Sequence, residues 1–292
     1  MKRILQTLIF FFSFVITTNG FALETLAKGQ QKGRIKFESV PLITLNQFLK
    51  GETNKKSVKI SGKLIFPKKE STGSLPAVVL LHGSGGPRIG VKYWSKILQK
   101  IGIVTFIVDS NSARGCPLDS KSRCKNYAEH QGMGNIIDAY RALELLSTHP
   151  QIDPNRIALM GFSVGGKATL YASVKRFQKM WGTPGLEFAA YIPFYPACNI
   201  AFDHDEKISD KPVRIFYGEL DEWSSPIPCR EYVNRLRKAG KDATITIYPE
   251  AHHNFDHKPD ASAPRSMKST TNRSQCQFVE AAEYNLVVLK KD

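Results

Sequence analysis

Residues 159–166, Leu-Met-Gly-Phe-Ser-Val-Gly-Gly, constrain the fold more than any other stretch of this 292-residue chain. An apolar run ends in Gly161-Phe162-Ser163-Val164-Gly165 and turns directly into residues of helical character. A serine on so sharp a strand-to-helix turn has its hydroxyl held out above the sheet. Its flanking positions must be small, because the helix start and the neighbouring strand crowd the turn. The first N–H groups of the helix have no intrahelical partner, so they are available where an oxyanion would form. A plain Gly/Ser turn reads the same way in isolation, and the rest of the chain has to decide between the two.

The surroundings predict an α/β chain. Residues 77–81, Ala-Val-Val-Leu-Leu, are a continuous apolar run, as expected of a strand buried on both faces in a parallel sheet. They empty into the glycine-rich loop His82-Gly83-Ser84-Gly85-Gly86-Pro87. Upstream, residues 35–40 read as a first strand, and 58–66 mostly alternates apolar and polar, as an antiparallel strand with one wet face would. Downstream, helices are expected at 93–101, 134–147, 167–179, 228–239 and 277–289. Strands are expected at 103–108, 156–160, 189–195, 213–217 and 243–248, with a turn at Asp153-Pro154-Asn155. Gly240 sits in the C-cap position of its helix. Residues 23–33 read as a loose start, and 258–274 as a mobile polar loop. Strands alternating with helices from residue 77 onward predict a mostly parallel central sheet flanked by helices.

The first residues, Met1-Lys2-Arg3, are followed by a short apolar run to Ile16 and by small residues at Gly20 and Ala22. That layout is a secretory signal peptide over residues 1–22, with cleavage after Ala22. The apolar core is short for a bilayer span, so no integral membrane segment is expected after cleavage. The remaining 292 − 22 = 270 residues, 23–292, fit a single domain. An exported chain of this kind would be periplasmic or secreted. The net charge of +15 comes from scattered Lys and Arg, with only short pairs such as Lys55-Lys56, so a solvated basic surface is expected and no nucleic-acid partner. Nothing in the chain points to an oligomeric state. The five cysteines have no zinc-ligand spacing, and in an oxidising compartment they favour disulfides.

A serine hydroxyl needs a base to take its proton, and the base needs a carboxylate to orient it. On this architecture the order should be Ser, acid, His, each beyond the C-terminal end of a strand. Asp221 follows the expected strand at 213–217 through Gly218. Its neighbours Glu219 and Glu222 could substitute, but Asp221 lies past the Gly turn, where a side chain can reach back. The base is His252 or His253, both after the last expected strand. The oxyanion donors would be the N–H of Val164 and that of Gly83 or Ser84.

Together Leu81-His82-Gly83-Ser84-Gly85-Gly86, Gly161-Phe162-Ser163-Val164-Gly165, Gly218-Glu219-Leu220-Asp221 and Ala251-His252-His253-Asn254-Phe255 resemble the dienelactone hydrolase family of α/β-hydrolases. The resemblance runs from about Val58 to Leu289. It implies that the base is the His of a His-x-Phe pattern, which is His253. The named dienelactone hydrolases carry Cys where this chain has Ser163, so the likeness is greatest to serine-bearing, exported members. It implies hydrolysis of a small-molecule ester or lactone without metal or organic cofactor. A peptidase of the same fold, or a non-catalytic envelope-binding protein on this scaffold, is the alternative.

Arg114 follows a buried strand and either holds a substrate carboxylate bidentately or pins its own loop. Cys116 and Cys124 could staple a polar loop. Cys198 and Cys229 lie beyond successive strand ends and are the second candidate pair, leaving Cys276 as a free thiol.

Overall fold

The computed structural model describes residues 25–26, 32–53, 56–68, 73–87, 89–115, 132–256 and 277–289. The leader, the loop at 258–274, and Cys116, Cys124 and Cys276 lie outside these described residues.

The chain opens with β1 (Gly33–Ser39), α1 (Leu45–Lys50) and β2 (Val58–Ile65), then β3 (Leu75–Leu81), α2 (Ile89–Lys100) and β4 (Val104–Asp109). After a 3₁₀ turn at Ser112–Arg114 come α3 (Gly134–Ser147), β5 (Ile152–Phe162), α4 (Val164–Tyr171) and α5 (Lys175–Trp181). The second half holds β6 (Tyr191–Phe194), β7 (Ile200–Ala201), β8 (Val213–Gly218), α6 (Pro226–Lys238) and β9 (Ala243–Tyr248). It ends with β10 (Gln277–Ala281) and β11 (Asn285–Leu289).

Eight strands form one sheet in the order β1-β2-β4-β3-β5-β6-β8-β9. β1 and β2 are antiparallel to each other, and β2 is antiparallel to β4. From β4 onward all neighbours are parallel. This follows from burial. Every residue of β4 is buried and the last five of β3 are too, as central strands covered by helices on both faces require. β2 alternates buried and less buried residues, as a strand near the sheet edge does. The chain steps from β3 to β4 on one side and returns to β5 on the other. The sheet therefore reverses its winding at β3, and the C-terminal ends of β3 and β5 border the crevice where such sheets take ligands.

Four expectations are corrected. Residues 277–289 are not a helix but a hairpin. β10 pairs antiparallel with β11, and parallel with β7 through Phe278 and Ile200. Val279, Val287 and Val288 favour a strand, Tyr284 turns the chain at φ 61°, and Phe278 donates its N–H to the Asn199 carbonyl at 2.8 Å. The long helix expected over 167–179 is two helices. Ser173 Oγ donates to the Leu170 carbonyl at 2.6 Å, competing with the helical ladder where α4 ends. The start of the chain is not wholly loose: Leu26 is buried and donates its N–H to Thr148 Oγ1. The turn expected at Asp153-Pro154-Asn155 is absorbed into β5 as an irregularity in its pairing with β3.

Candidate active site

The elbow has the geometry that its glycines permit. Ser163 sits at φ 54°, ψ −113°, outside the regions non-glycine residues ordinarily occupy. Two backbone hydrogen bonds hold it there: Ser163 N to the Phe194 carbonyl at 3.0 Å, and Lys167 N to the Ser163 carbonyl at 2.8 Å. A Cβ on Gly161 would stand 2.2 Å from the Gly165 carbonyl oxygen. One on Gly165 would stand 2.5 Å from the Leu81 carbonyl oxygen. Both positions must be glycine for β5 to pass into α4 against the end of β3.

Above the elbow the structure brings together three of the expected residues. His253 Nε2 lies 3.1 Å from Ser163 Oγ, and His253 Nδ1 lies 2.7 Å from Asp221 Oδ2. A carboxylate only accepts, so Nδ1 carries the proton and Nε2 is left to accept from the serine hydroxyl. Asp221 is held in turn, its Oδ1 accepting from the N–H groups of Trp223 at 2.9 Å and Ser224 at 3.1 Å. Both Asp221 and His253 are buried. His252 faces elsewhere, with Nδ1 3.0 Å from the Leu220 carbonyl oxygen. Glu219 and Glu222 are exposed.

The loop after β3 runs alongside the elbow. A Cβ on Gly83 would lie 3.4 Å from Ser163 Cβ, so the Gly83 backbone borders the serine directly. The Gly83 carbonyl accepts from Gly86 N at 3.1 Å and from the ring of His82, whose Nδ1 is 2.6 Å away. His82 Nε2 accepts from Ser110 N at 3.2 Å, so this buried imidazole is neutral and ties the β3 loop to the end of β4. Burial holds its pKa below the ordinary value.

Arg114 turns inward. Its side chain is 2 % exposed and pairs with the fully buried Asp138 through two hydrogen bonds, at 2.7 and 2.8 Å. It also donates to the carbonyls of Val40 and Ser110. Of the two expected roles, this geometry is that of an anchor for its own loop, joining the ends of β1 and β4 to α3.

Two residues at the site were not anticipated. The Trp223 ring stacks on His253 at 5.2 Å and 15°, and Tyr195 packs against it at 4.6 Å and 57°. Tyr195 lies one residue past β6 at φ 37°. The available signal was position: each lies just beyond a parallel strand, on the same side of the sheet as Ser163. Cys198 and Cys229 form a disulfide that ties the loop after β6 to α6. Among the described residues no group of three His, Cys, Asp or Glu side chains could hold a metal ion, and no helix is long and apolar enough to cross a membrane.

A mostly parallel sheet with helices on its faces and a serine elbow after β5 defines the class: this is an α/β-hydrolase. The chain belongs to the dienelactone hydrolase family, whose profile matches residues 60–282, and it is a hydrolase. A Bradyrhizobium protein assigned as a 2-oxo-3-(5-oxofuran-2-ylidene)propanoate lactonase is 25 % identical over 215 residues, covering 70 % of this chain and 83 % of the relative. Among solved structures, a Klebsiella pneumoniae protein assigned as a dienelactone hydrolase superposes with a TM-score of 0.57 at 18 % identity, over 80 % of this chain and 93 % of that one. Esterase 2 of Thermogutta terrifontis, phosphoramylated by tabun, superposes at 0.51 with 17 % identity, over 69 % and 82 %. At these identities the structural likeness speaks to the fold.

Proposed function

We propose that this protein is a serine hydrolase that cleaves a small ester or lactone through an acyl-enzyme. Ser163 Oγ attacks the carbonyl carbon as its proton passes to His253 Nε2. Asp221 keeps His253 in the required tautomer and stabilises the imidazolium. The developing oxyanion is received by the N–H of Val164 and that of Gly83 or Ser84. Collapse of the intermediate expels the alkoxide, which takes the proton from His253; in a lactone it stays tethered to the acyl group. Water, deprotonated by His253, then attacks the acyl-enzyme and releases the acid. None of these steps calls on a metal or an organic cofactor.

The observation that carries this reading is the unbroken relay from Asp221 Oδ2 through His253 to Ser163 Oγ, at 2.7 and 3.1 Å. The lactonase and esterase among the similar proteins support the ester or lactone class. We further propose that residues 1–22 direct export and are removed, leaving 23–292 as one domain in the periplasm or outside the cell. The Cys198–Cys229 disulfide fits an oxidising compartment.

A fluorophosphonate probe tests the nucleophile. It should label the wild-type chain on Ser163 and leave Ser163→Ala unlabelled; labelling that persists in the variant would sink the assignment. A panel of simple esters, lactones and one aminoacyl amide then separates esterase from peptidase.

A further inference from the structure

Asp256 lies three residues past His253 and takes no part in the chemistry proposed above, yet both of its carboxylate oxygens are engaged. Oδ1 accepts from the Tyr195 hydroxyl at 2.7 Å, and Oδ2 accepts from Trp94 Nε1 at 2.7 Å. The donors come from separate elements: Trp94 from α2, Tyr195 from the residue after β6. Hydrogen bonds to a charged acceptor are the stronger kind. The carboxylate thus fastens the far end of the histidine loop to two packed walls, Tyr195 being 1 % exposed. The near end is fastened by His252 to the Leu220 carbonyl.

The loop needs such fastening. Glu250 and Asn254 both have left-handed backbones, at φ 58° and 63°, and Tyr195 does too at 37°. Non-glycine residues persist in this region only where surrounding contacts over-determine them. Tyr195 is also the ring packed against the His253 imidazole. Burial, reinforced by the Asp256 charge, raises the Tyr195 phenol well above its usual pKa, so it stays a donor.

We propose that Asp256 is a positioning residue for His253: by holding Tyr195 and Trp94 it fixes the loop that presents Nε2 to Ser163. The proposal rests on the reading of His253 as general base. It does not place Asp256 on substrate.

The test compares Asp256→Ala, Tyr195→Phe, Trp94→Phe and their combinations with His253→Ala on one simple ester. kcat and KM are separated, and the rate of inactivation by a fluorophosphonate is a second readout. Asp256→Ala should lower kcat and the inactivation rate by roughly tenfold to a hundredfold, the cost of a misplaced reacting group, with KM within about twofold. Tyr195→Phe keeps the ring and should show part of the same loss. Adding Asp256→Ala to the Tyr195→Phe/Trp94→Phe pair should lower kcat no further, because the carboxylate then has nothing left to hold. An unchanged kcat in Asp256→Ala overturns the proposal, and so does a loss confined to KM. A full further loss in the triple variant also overturns it, since Asp256 would then act through its own charge. If Asp256→Ala does not fold, Tyr195→Phe carries the test, and wild-type kcat there overturns the proposal. Activity retained in His253→Ala overturns both readings; an inactive His253→Ala beside a fully active Asp256→Ala overturns this one alone.

Discussion

His253 and Asp221 stand 32 residues apart in the chain and meet Nδ1 to Oδ2 at 2.7 Å, while the adjacent His252 turns its own Nδ1 to the Leu220 carbonyl. Two neighbouring imidazoles thus have separate partners. In the proposed mechanism His253 is the general base, and loss of such a group typically removes three or more orders of magnitude, so His253→Ala should lower kcat/KM on a simple ester by about 10³-fold or more. His252→Ala loses one hydrogen bond at a partly exposed site and should cost less than about tenfold. Steady-state hydrolysis of a p-nitrophenyl ester distinguishes them; the reverse ranking would show that His252 is the base.

Arg114 and Asp138 form an ion pair with side chains 2 % and 0 % exposed. Removing one partner leaves an unpaired buried charge, so Arg114→Ala should destabilise the fold by about 3–5 kcal/mol in urea unfolding. Replacing both residues by apolar ones of similar size should cost less. Because the guanidinium is used internally, preference between anionic and neutral acyl groups should be the same in any Arg114 variant that folds. A preference abolished with Arg114 would return it to a substrate role.

Stability should fall on mild acidification. Burial lowers the pKa of His82 from its ordinary 6.5, against the opposing pull of the Gly83 carbonyl and of Asp109 and Asp138. Below pH 6.5 the unfolded chain therefore binds a proton that the fold refuses, and unfolding becomes easier until the lower folded pKa is reached. His149, also lowered by burial, acts in the same sense. Urea midpoints measured from pH 7 to pH 5 should decline for the wild type and decline less for His82→Asn. An equal slope in both would show that His82 is not the group responsible.

The Cys198–Cys229 bridge closes a segment with a sequence separation of 31. Loop-closure entropy for that length corresponds to about 3–4 kcal/mol, so Cys198→Ser/Cys229→Ser should unfold at correspondingly lower urea. Mass mapping of non-reduced peptides should recover the linked pair; a free Cys198 in the oxidised protein would contradict it.

The elbow, the buried strand at 77–81 and the order Ser163, Asp221 and then a histidine at 252 or 253 could be read because each leaves a local mark: a run of small residues, an unbroken apolar stretch, a turn after a strand. The helix boundaries of α3 could be read to the residue from its apolar stripe. The last segment could not. Its Val-rich residues become strands because β7 offers an unpaired edge nearly eighty residues upstream, which no local pattern announces. Arg114 was likewise ambiguous. Its partner Asp138 sits on α3 and its carbonyl acceptors on the end of β1 and the loop after β4, so only packing could turn it inward.

By itself, then, the sequence determined where a serine would be raised on a sharp turn and which strand ends would carry its proposed partners, since steric demand at Gly161 and Gly165 and two-sided burial of a strand are local matters. Only the tertiary structure decided which histidine reaches Ser163, what Asp221 rests on, that Trp223 and Tyr195 flank the imidazole, and that Asp256 holds Tyr195 and Trp94. Those are relationships between side chains on different strand ends, and a hydrogen bond is decided by tenths of an ångström that no single segment controls.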